Sequence, residues 1–292
     1  MNAIEIKNLT KYYGKNRGIV NLSFNVEKGD FFGFIGPNGA GKSTTIRLLL
    51  GLINATKGDA FVFGHNVKTE ATEILKKVGY LPSDAAFYKG MKVKEILKFS
   101  ADLRGMDCSK EAEILCQRLD LDTNKKIEQL SLGNRKKVGI VCALQHKPEL
   151  YILDEPTSGL DPLIQHEFYT ILQERNNEGA TVFLSSHILS EVARYCKNAA
   201  IIRDGELLAC DSVLNLSHSD VKRITLKGAS EIIKNDNIRD LKTEDGITSF
   251  LYNGKPDTLI KELAQLKFDD ITITDPELQE VFMHYYKKEG DQ

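Results

Sequence analysis

Residues 36–44 read Gly36, Pro37, Asn38, Gly39, Ala40, Gly41, Lys42, Ser43 and Thr44. This run fits G-x-x-x-x-G-K-[ST], a pattern suited to gripping phosphates when it lies between a strand and a helix. The glycines let the backbone curl so that successive N–H groups face phosphate oxygens. The positive end of the following helix adds to that field. Lys42 would bring a point charge to the β- and γ-phosphates, and Ser43 a hydroxyl for Mg²⁺. A second run, Leu150-Tyr-Ile-Leu-Asp154-Glu155, is an apolar stretch that ends in two acids. As a buried strand it would set both carboxylates at the carboxyl edge of a sheet, beside the phosphate loop. Asp154 is then placed to hold Mg²⁺, directly or through water, and Glu155 to polarise the water that attacks a γ-phosphate. His187 follows the apolar run ATVFLSS at another such edge and is read as a γ-phosphate sensor. His65, His146, His166, His218 and His284 have no such placement and are read as scaffold.

These residues need a sheet with phosphate-facing strand ends, and the chain provides the pattern for one. AIEIKNL, GIVNLSFNV and FFGFI are strand-like, and FFGFI runs into the glycine loop. Behind the loop, residues 42–52 place Ile46, Leu49 and Leu50 at helical spacing. DAFVFG is a short strand, followed by a helix-like stretch ending near VGYLP. Residues 92–144 are mostly helical, in three blocks: VKEILKFSADL, KEAEILCQRL and RKKVGIVCALQ. Then LYILDE reads as strand, LIQHEFYTILQER as helix and ATVFLSS as strand. Alternation of this kind predicts a mainly parallel sheet flanked by helices, with a helical subdomain inserted at about 82–145. From residue 221 come strands KRITLKG and ITSFLYN, helix DTLIKELAQLK, strand DDITIT and a last helix. Asp275 and Pro276 suit the start of that helix, and Leu278, Val281, Phe282 and Tyr285 would share its buried face. The expectation is one domain over 1–215 and a small α+β appendage over 221–292.

Composition narrows the partners. The 39 Lys and Arg against 41 Asp and Glu leave a net charge of −2, which argues against nucleic acid as the main partner. Hydrophobic residues at 41% and charged residues at 27% give ample material for a core. Cys108, Cys116, Cys142, Cys196 and Cys210 are widely spaced and form no C-x-x-C pair, so they read as reduced thiols. No apolar stretch approaches the ~18 residues of a membrane span, and the N-terminus does not resemble a signal peptide. Any membrane function would need another chain.

The order of motifs resembles the nucleotide-binding domain of ABC transporters. The Walker A run at Gly36–Ser43 is followed by LSLGN at Leu130–Asn134, Walker B at Leu150–Glu155, SGLD at Ser158–Asp161, then His187. The likeness covers about residues 1–215. It implies a P-loop NTPase core of ABC type, with an antiparallel β subdomain and the inserted helices, that hydrolyses ATP with Mg²⁺. It assigns catalysis to Lys42, Glu155 and His187, and metal binding to Ser43 and Asp154. Nucleotide contacts carry over to Gly36, Asn38, Gly39, Ala40, Gly41, Lys42, Ser43 and Thr44. Tyr13 matches the aromatic residue that stacks on adenine, with Tyr12 as the alternative. Ser131 and Gly133 match signature residues that meet the γ-phosphate held by a second subunit, and Asp161 matches the D-loop residue that communicates across the dimer. The appendage ending PELQEVFMHYY resembles bacterial exporter subunits for drugs, lipids or antimicrobial peptides.

The resemblance further implies a homodimer or heterodimer, a separate permease contacted around residues 83–109, and a place on the cytoplasmic face of the membrane. Two departures stand out. LSLGN replaces the usual LSGGQ at Leu132 and Asn134, and Ser83 occupies the usual position of the Q-loop glutamine. They leave open a working variant, or a slow or asymmetric ATPase beside a more regular partner. A different reading, an ABC-type ATPase acting on nucleic acid or translation, usually requires a second nucleotide domain, coiled-coil or zinc insertion, and none is visible.

Overall fold

A computed structural model describes residues 1–217, 221–229 and 237–275. The chain divides into two compact units, Met1–Asp211 and Ser212–Gln292. The first opens with β1 (Asn2–Tyr13), β2 (Asn16–Glu27) and β3 (Phe31–Ile35), then helix α1 (Lys42–Leu49). Strands β4 (Lys57–Val62) and β5 (His65–Asn66), helix α2 (Ala71–Lys77) and strand β6 (Val78–Leu81) follow. Next come α3 (Val93–Asp102), α4 (Ser109–Arg118), a 3₁₀ turn at Ile127–Gln129 and α5 (Leu132–Leu144). The unit continues through β7 (Leu150–Asp154), α6 (Pro162–Asn177), β8 (Thr181–Ser186), α7 (Leu189–Tyr195) and β9 (Asn198–Arg203) to β10 (Glu206–Ser212).

Two sheets carry this unit. One is antiparallel in its paired registers, ordered β2-β1-β4-β5. The other is ordered β10-β9-β3-β8-β7-β6, with parallel pairing from β9 across to β6. FFGFI, LYILD and TVFLSS are buried at every position, as a parallel strand covered on both faces requires. The Val78–Leu81 run, expected to close a helix, is instead the edge strand β6. Its backbone pairs with β7 from Val78↔Leu150 to Leu81↔Leu153, and that ladder overrides the local helical pattern. Phe24 of β2 meets Phe32, Phe34 and Phe183 at ring-centroid distances of 5.5–6.5 Å, so aromatic packing joins the two sheets. Burial of one such ring contributes on the order of 2 kcal/mol.

The second unit begins with the short helix α8 (Val213–Ser217). Its sheet is ordered β12-β13-β11-β14 from β11 (Val221–Lys227), β12 (Ile238–Glu244), β13 (Ile247–Asn253) and β14 (Asp270–Thr274), all antiparallel. Helix α9 (Pro256–Leu263) lays Leu259 and Leu263 on Ile224, Leu226, Phe250 and Tyr252. β12 has a mostly exposed, charged sequence and no apolar period, so only its pairing with β13 reveals it. The expected last helix, with Leu278, Val281, Phe282 and Tyr285, lies outside the described residues, as do His218 and His284.

Candidate nucleotide site

Strand order places the chemistry. β3, β8 and β7 are neighbours, with Ile35 opposite Ser186 and Asp154 opposite Ser185. Gly36, His187 and Glu155 each follow one of these strands, so all three leave the sheet at one level. Ligands of parallel α/β sheets collect at this carboxyl edge.

The loop leaving β3 is tightly held. A methyl group at Gly36 would lie 2.3 Å from the Ile202 carbonyl oxygen, so no other side chain fits without moving β9. The Ala40 carbonyl accepts from the Gly205 amide at 3.0 Å. Gly41, with φ 106°, turns the chain into α1, whose N-terminus faces the loop. Lys42 is buried, and its Nζ donates to the carbonyls of Gly36 at 2.7 Å and Pro37 at 3.1 Å. The same Nζ lies 3.3 Å from Glu155 Oε1.

A pocket of about 390 Å³ opens here. Asn38, Gly39, Gly41, Lys42, Ser43 and Thr44 line it, together with Tyr13, Arg17, Gly18, Ser83 and Glu155. Gly36 and Ala40 are buried members of the loop and do not line the pocket. Tyr13, not Tyr12, reaches the pocket; Lys11 Nζ sits 5.2 Å from the centre of its ring.

The two acids divide in environment. Asp154 is 2% exposed, and its Oδ1 accepts from Ser185 Oγ at 2.6 Å. Glu155 adopts φ 46°, a left-handed conformation costly for a residue with a side chain. Its amide donates to Ser185 O and Oγ, both at 3.2 Å, which holds the turn. His187 Nδ1 lies 3.4 Å from Glu155 Oε2, so Glu155 bridges Lys42 and His187.

The signature and D-loop residues form a separate cluster. Ser131 caps α5, its Oγ accepting from the Asn134 amide at 3.3 Å. Asp161 caps α6, accepting from the Ile164 amide at 3.0 Å. A methyl group at Gly133 would meet the Gly159 carbonyl at 2.6 Å, so LSLGN and SGLD pack backbone to backbone. Leu132, however, is 62% exposed. None of Ser131, Gly133 and Asp161 lines the nucleotide pocket of its own chain.

Four residues outside the sequence-derived set belong to the site. Arg17 and Gly18 line the pocket from the start of β2. Ser185 orients Asp154, and a polar residue closing a wholly buried strand was a usable sign of it. Lys136 of α5 is 5% exposed, and its Nζ donates to the carbonyls of Pro82 at 3.1 Å and Ser83 at 2.9 Å. Burial pulls its pKa down to about 8, against the opposing attraction of Asp154, Glu155 and Asp84. Its sign in the sequence was a lysine at the helical spacing of the buried Ile140 and Ala143.

The donor set fits a nucleoside triphosphate with Mg²⁺. Loop residues Asn38, Gly39, Gly41, Lys42, Ser43 and Thr44 line the pocket, and Asp154 at the end of β7 is a carboxylate fixed by Ser185.

Comparison with known proteins agrees. The profile of the family described as ABC transporter matches residues 19–158. The bacitracin transport ATP-binding protein of Bacillus licheniformis is 40% identical over 211 residues, spanning 70% of this chain and 68% of that one. The linearmycin resistance ATP-binding protein of Bacillus subtilis is 34% identical over 237 residues, spanning 78% and 76%. A solved ATP binding subunit of an ABC transporter superposes with a TM-score of 0.69 at 31% identity, over 73% of this chain and 91% of that one. A dimeric cassette in a post-hydrolysis state with ADP and Pi gives 0.63 at 25%, over 72% and 98%. With strand edge, phosphate loop and relatives in agreement, this chain belongs to the ATP-binding subunits of the ABC transporter family and is an ATPase.

Proposed function

We propose that two such subunits close on two ATP molecules and so drive a separate membrane permease, an exporter. The carrying observation is the division of the site. Phosphate loop, Asp154, Glu155 and His187 stand at one sheet edge, while Ser131 and Gly133 lie outside that pocket on their own chain. A second subunit presenting its signature completes the enclosure of the nucleotide.

In this reading Tyr13 stacks on the adenine, the loop amides and Lys42 hold the phosphates, and Asp161 faces the partner. Ser43 and Asp154 would hold Mg²⁺, which supplies charge neutralisation on the β- and γ-phosphates. Glu155 accepts a proton from the attacking water, and its left-handed turn aims the carboxylate. His187, 3.4 Å from Glu155, senses the γ-phosphate from the neighbouring strand end. After bond cleavage and phosphate release the dimer reopens.

The permease contact falls on residues 83–109. Tyr88 and Phe99 there stack edge-on at 5.9 Å and remain exposed, with Leu103 and Met106 also open on the same stretch. Among the described residues no helix is long and apolar enough to cross a membrane. This reading places the subunit on the cytoplasmic face, acting through a separate chain that supplies the membrane path. The names of two relatives, bacitracin transport and linearmycin resistance, support a toxic compound as cargo and outward movement.

The test is steady-state ATP hydrolysis across a range of protein concentrations, with Glu155→Gln as control. Turnover per chain should rise with concentration and vanish in the variant. Turnover independent of concentration would overturn the shared site. Binding without turnover by the chain alone, restored by a second ABC subunit, would select the asymmetric pair that Leu132, Asn134 and Ser83 permit.

A further inference from the structure

We infer that Lys136 is a positioning residue: it ties the Ser83 segment over the nucleotide pocket to the helix that carries the signature. The inference rests on the pocket being the MgATP site. It concerns a residue outside the phosphate-binding and acidic motifs.

The geometry is specific. Pro82 and Ser83 follow the edge strand β6, and Ser83 lines the pocket. Their two carbonyls converge on one ammonium, at 3.1 and 2.9 Å; the lysine is buried, whereas Pro82 is half-buried and Ser83 exposed. A hydrogen bond from a charged donor is stronger than a neutral one. Burying a lysine is costly, and two backbone carbonyls with nearby acids offset the cost. A simple packing position would be filled by an apolar residue, as Ile140 and Ala143 fill the same face of α5.

Lys136 also lies close to the signature along the helix. It stands five positions along from the cap Ser131, a rise of about 7.5 Å. A force on LSLGN from a nucleotide held by the partner subunit is thus passed through a rigid helix to the Ser83 backbone. The position matters because the Ser83 side chain is short. With a glutamine there, the side chain could span to the reacting water; with serine, the placement of the backbone must do more of the orienting. Lys136 sets that placement, and its charge adds attraction toward Asp154 and Glu155.

The experiment compares the full-length chain with Lys136→Met, Lys136→Gln and Lys136→Arg. It measures kcat, KM for MgATP, nucleotide affinity, melting temperature and amide hydrogen exchange over residues 81–85. Lys136→Met should lower kcat about tenfold while KM stays within about threefold, because orientation in the transition state is lost more than binding. Exchange over 81–85 should rise, and Lys136→Arg should recover most of kcat by restoring donors and charge. Lys136→Gln, which keeps donors without charge, should fall between. A lowered melting temperature with unchanged kcat and unchanged exchange at 81–85 would reduce Lys136 to a structural group and overturn the inference. Loss of nucleotide affinity in Lys42→Ala but not in Lys136→Met separates failure of this inference from failure of the pocket itself. If the wild-type chain alone does not turn over, the exchange arm still decides: no difference between wild type and Lys136→Met rejects the tether.

Discussion

At the scale of single residues, burial decides which titrations matter. His146 follows α5 in the interior, its Nε2 3.3 Å from the Val78 carbonyl and its Nδ1 without a hydrogen-bond partner. Burial, aided by the Arg104 charge, pulls its pKa from 6.5 down to about 4. The folded chain therefore resists protonation that the unfolded chain accepts below pH 6.5. Stability is lost as the pH falls through this window, by at most about 2 kcal/mol between pH 7 and pH 5. Urea unfolding at the two pH values should report that loss in the wild type, and His146→Leu should remove this share of the slope. An unchanged slope in the variant would show that His146 is solvated. The same reasoning explains why His187 and His146, alike by type, separate in role: one emerges at the sheet edge and touches Glu155, the other is enclosed.

At the scale of elements, α4 of the helical insertion is pinned to α6 by two ion-pair groups of different quality. Glu111 meets Arg175 and also Lys147, in a largely buried setting. Arg118 bridges Glu167 and Glu174 nearer the surface. Removing one member of a buried pair strands the other charge, so Glu111→Ala should cost about 3 kcal/mol. Arg118→Met should cost about 1 kcal/mol, with a loss that shrinks in added salt, because that pair is partly solvated. Denaturant midpoints at low and high salt check both values; equal costs would show that burial does not separate them. The expectation of helices over 92–144 was met by α3, α4 and α5: α3 and α4 each bury one face, while α5 is buried nearly all round. Strands β6, β9, β10 and β12 were not foreseen, because short strands take their identity from the neighbour they pair with.

At the scale of the whole molecule, the proposed dimer accounts for two exposed leucines. Leu132 and Leu163 are 62% and 82% exposed, beside the signature and D-loop residues assigned to a partner. Large apolar side chains so exposed have little to contribute within the monomer. In the proposed dimer they lie at the interface. In the Glu155→Gln background, MgATP should produce a dimer by light scattering, and Leu163→Asp should weaken that dimer at least about tenfold, roughly 1.4 kcal/mol, without changing the melting temperature. A dimer of undiminished strength would place the interface elsewhere.

Some features of this protein followed from sequence alone. The phosphate loop, the acids ending LYILDE and His187 were legible because each is a short run whose chemistry travels with its residues. The α/β class followed from alternating apolar periods. Tertiary structure decided what local pattern does not encode. Parallel pairing sets β3 beside β8, residues far apart in the chain, and this pairing brings Gly36, Glu155 and His187 to one level. It also buries Lys136 against Pro82 and Ser83, and seats Ser185 under Asp154. The physical reason is that hydrogen-bonded partners in a parallel sheet lie across long crossovers. A residue's type is fixed locally, while its neighbours, and so its charge and reach, are fixed by the fold.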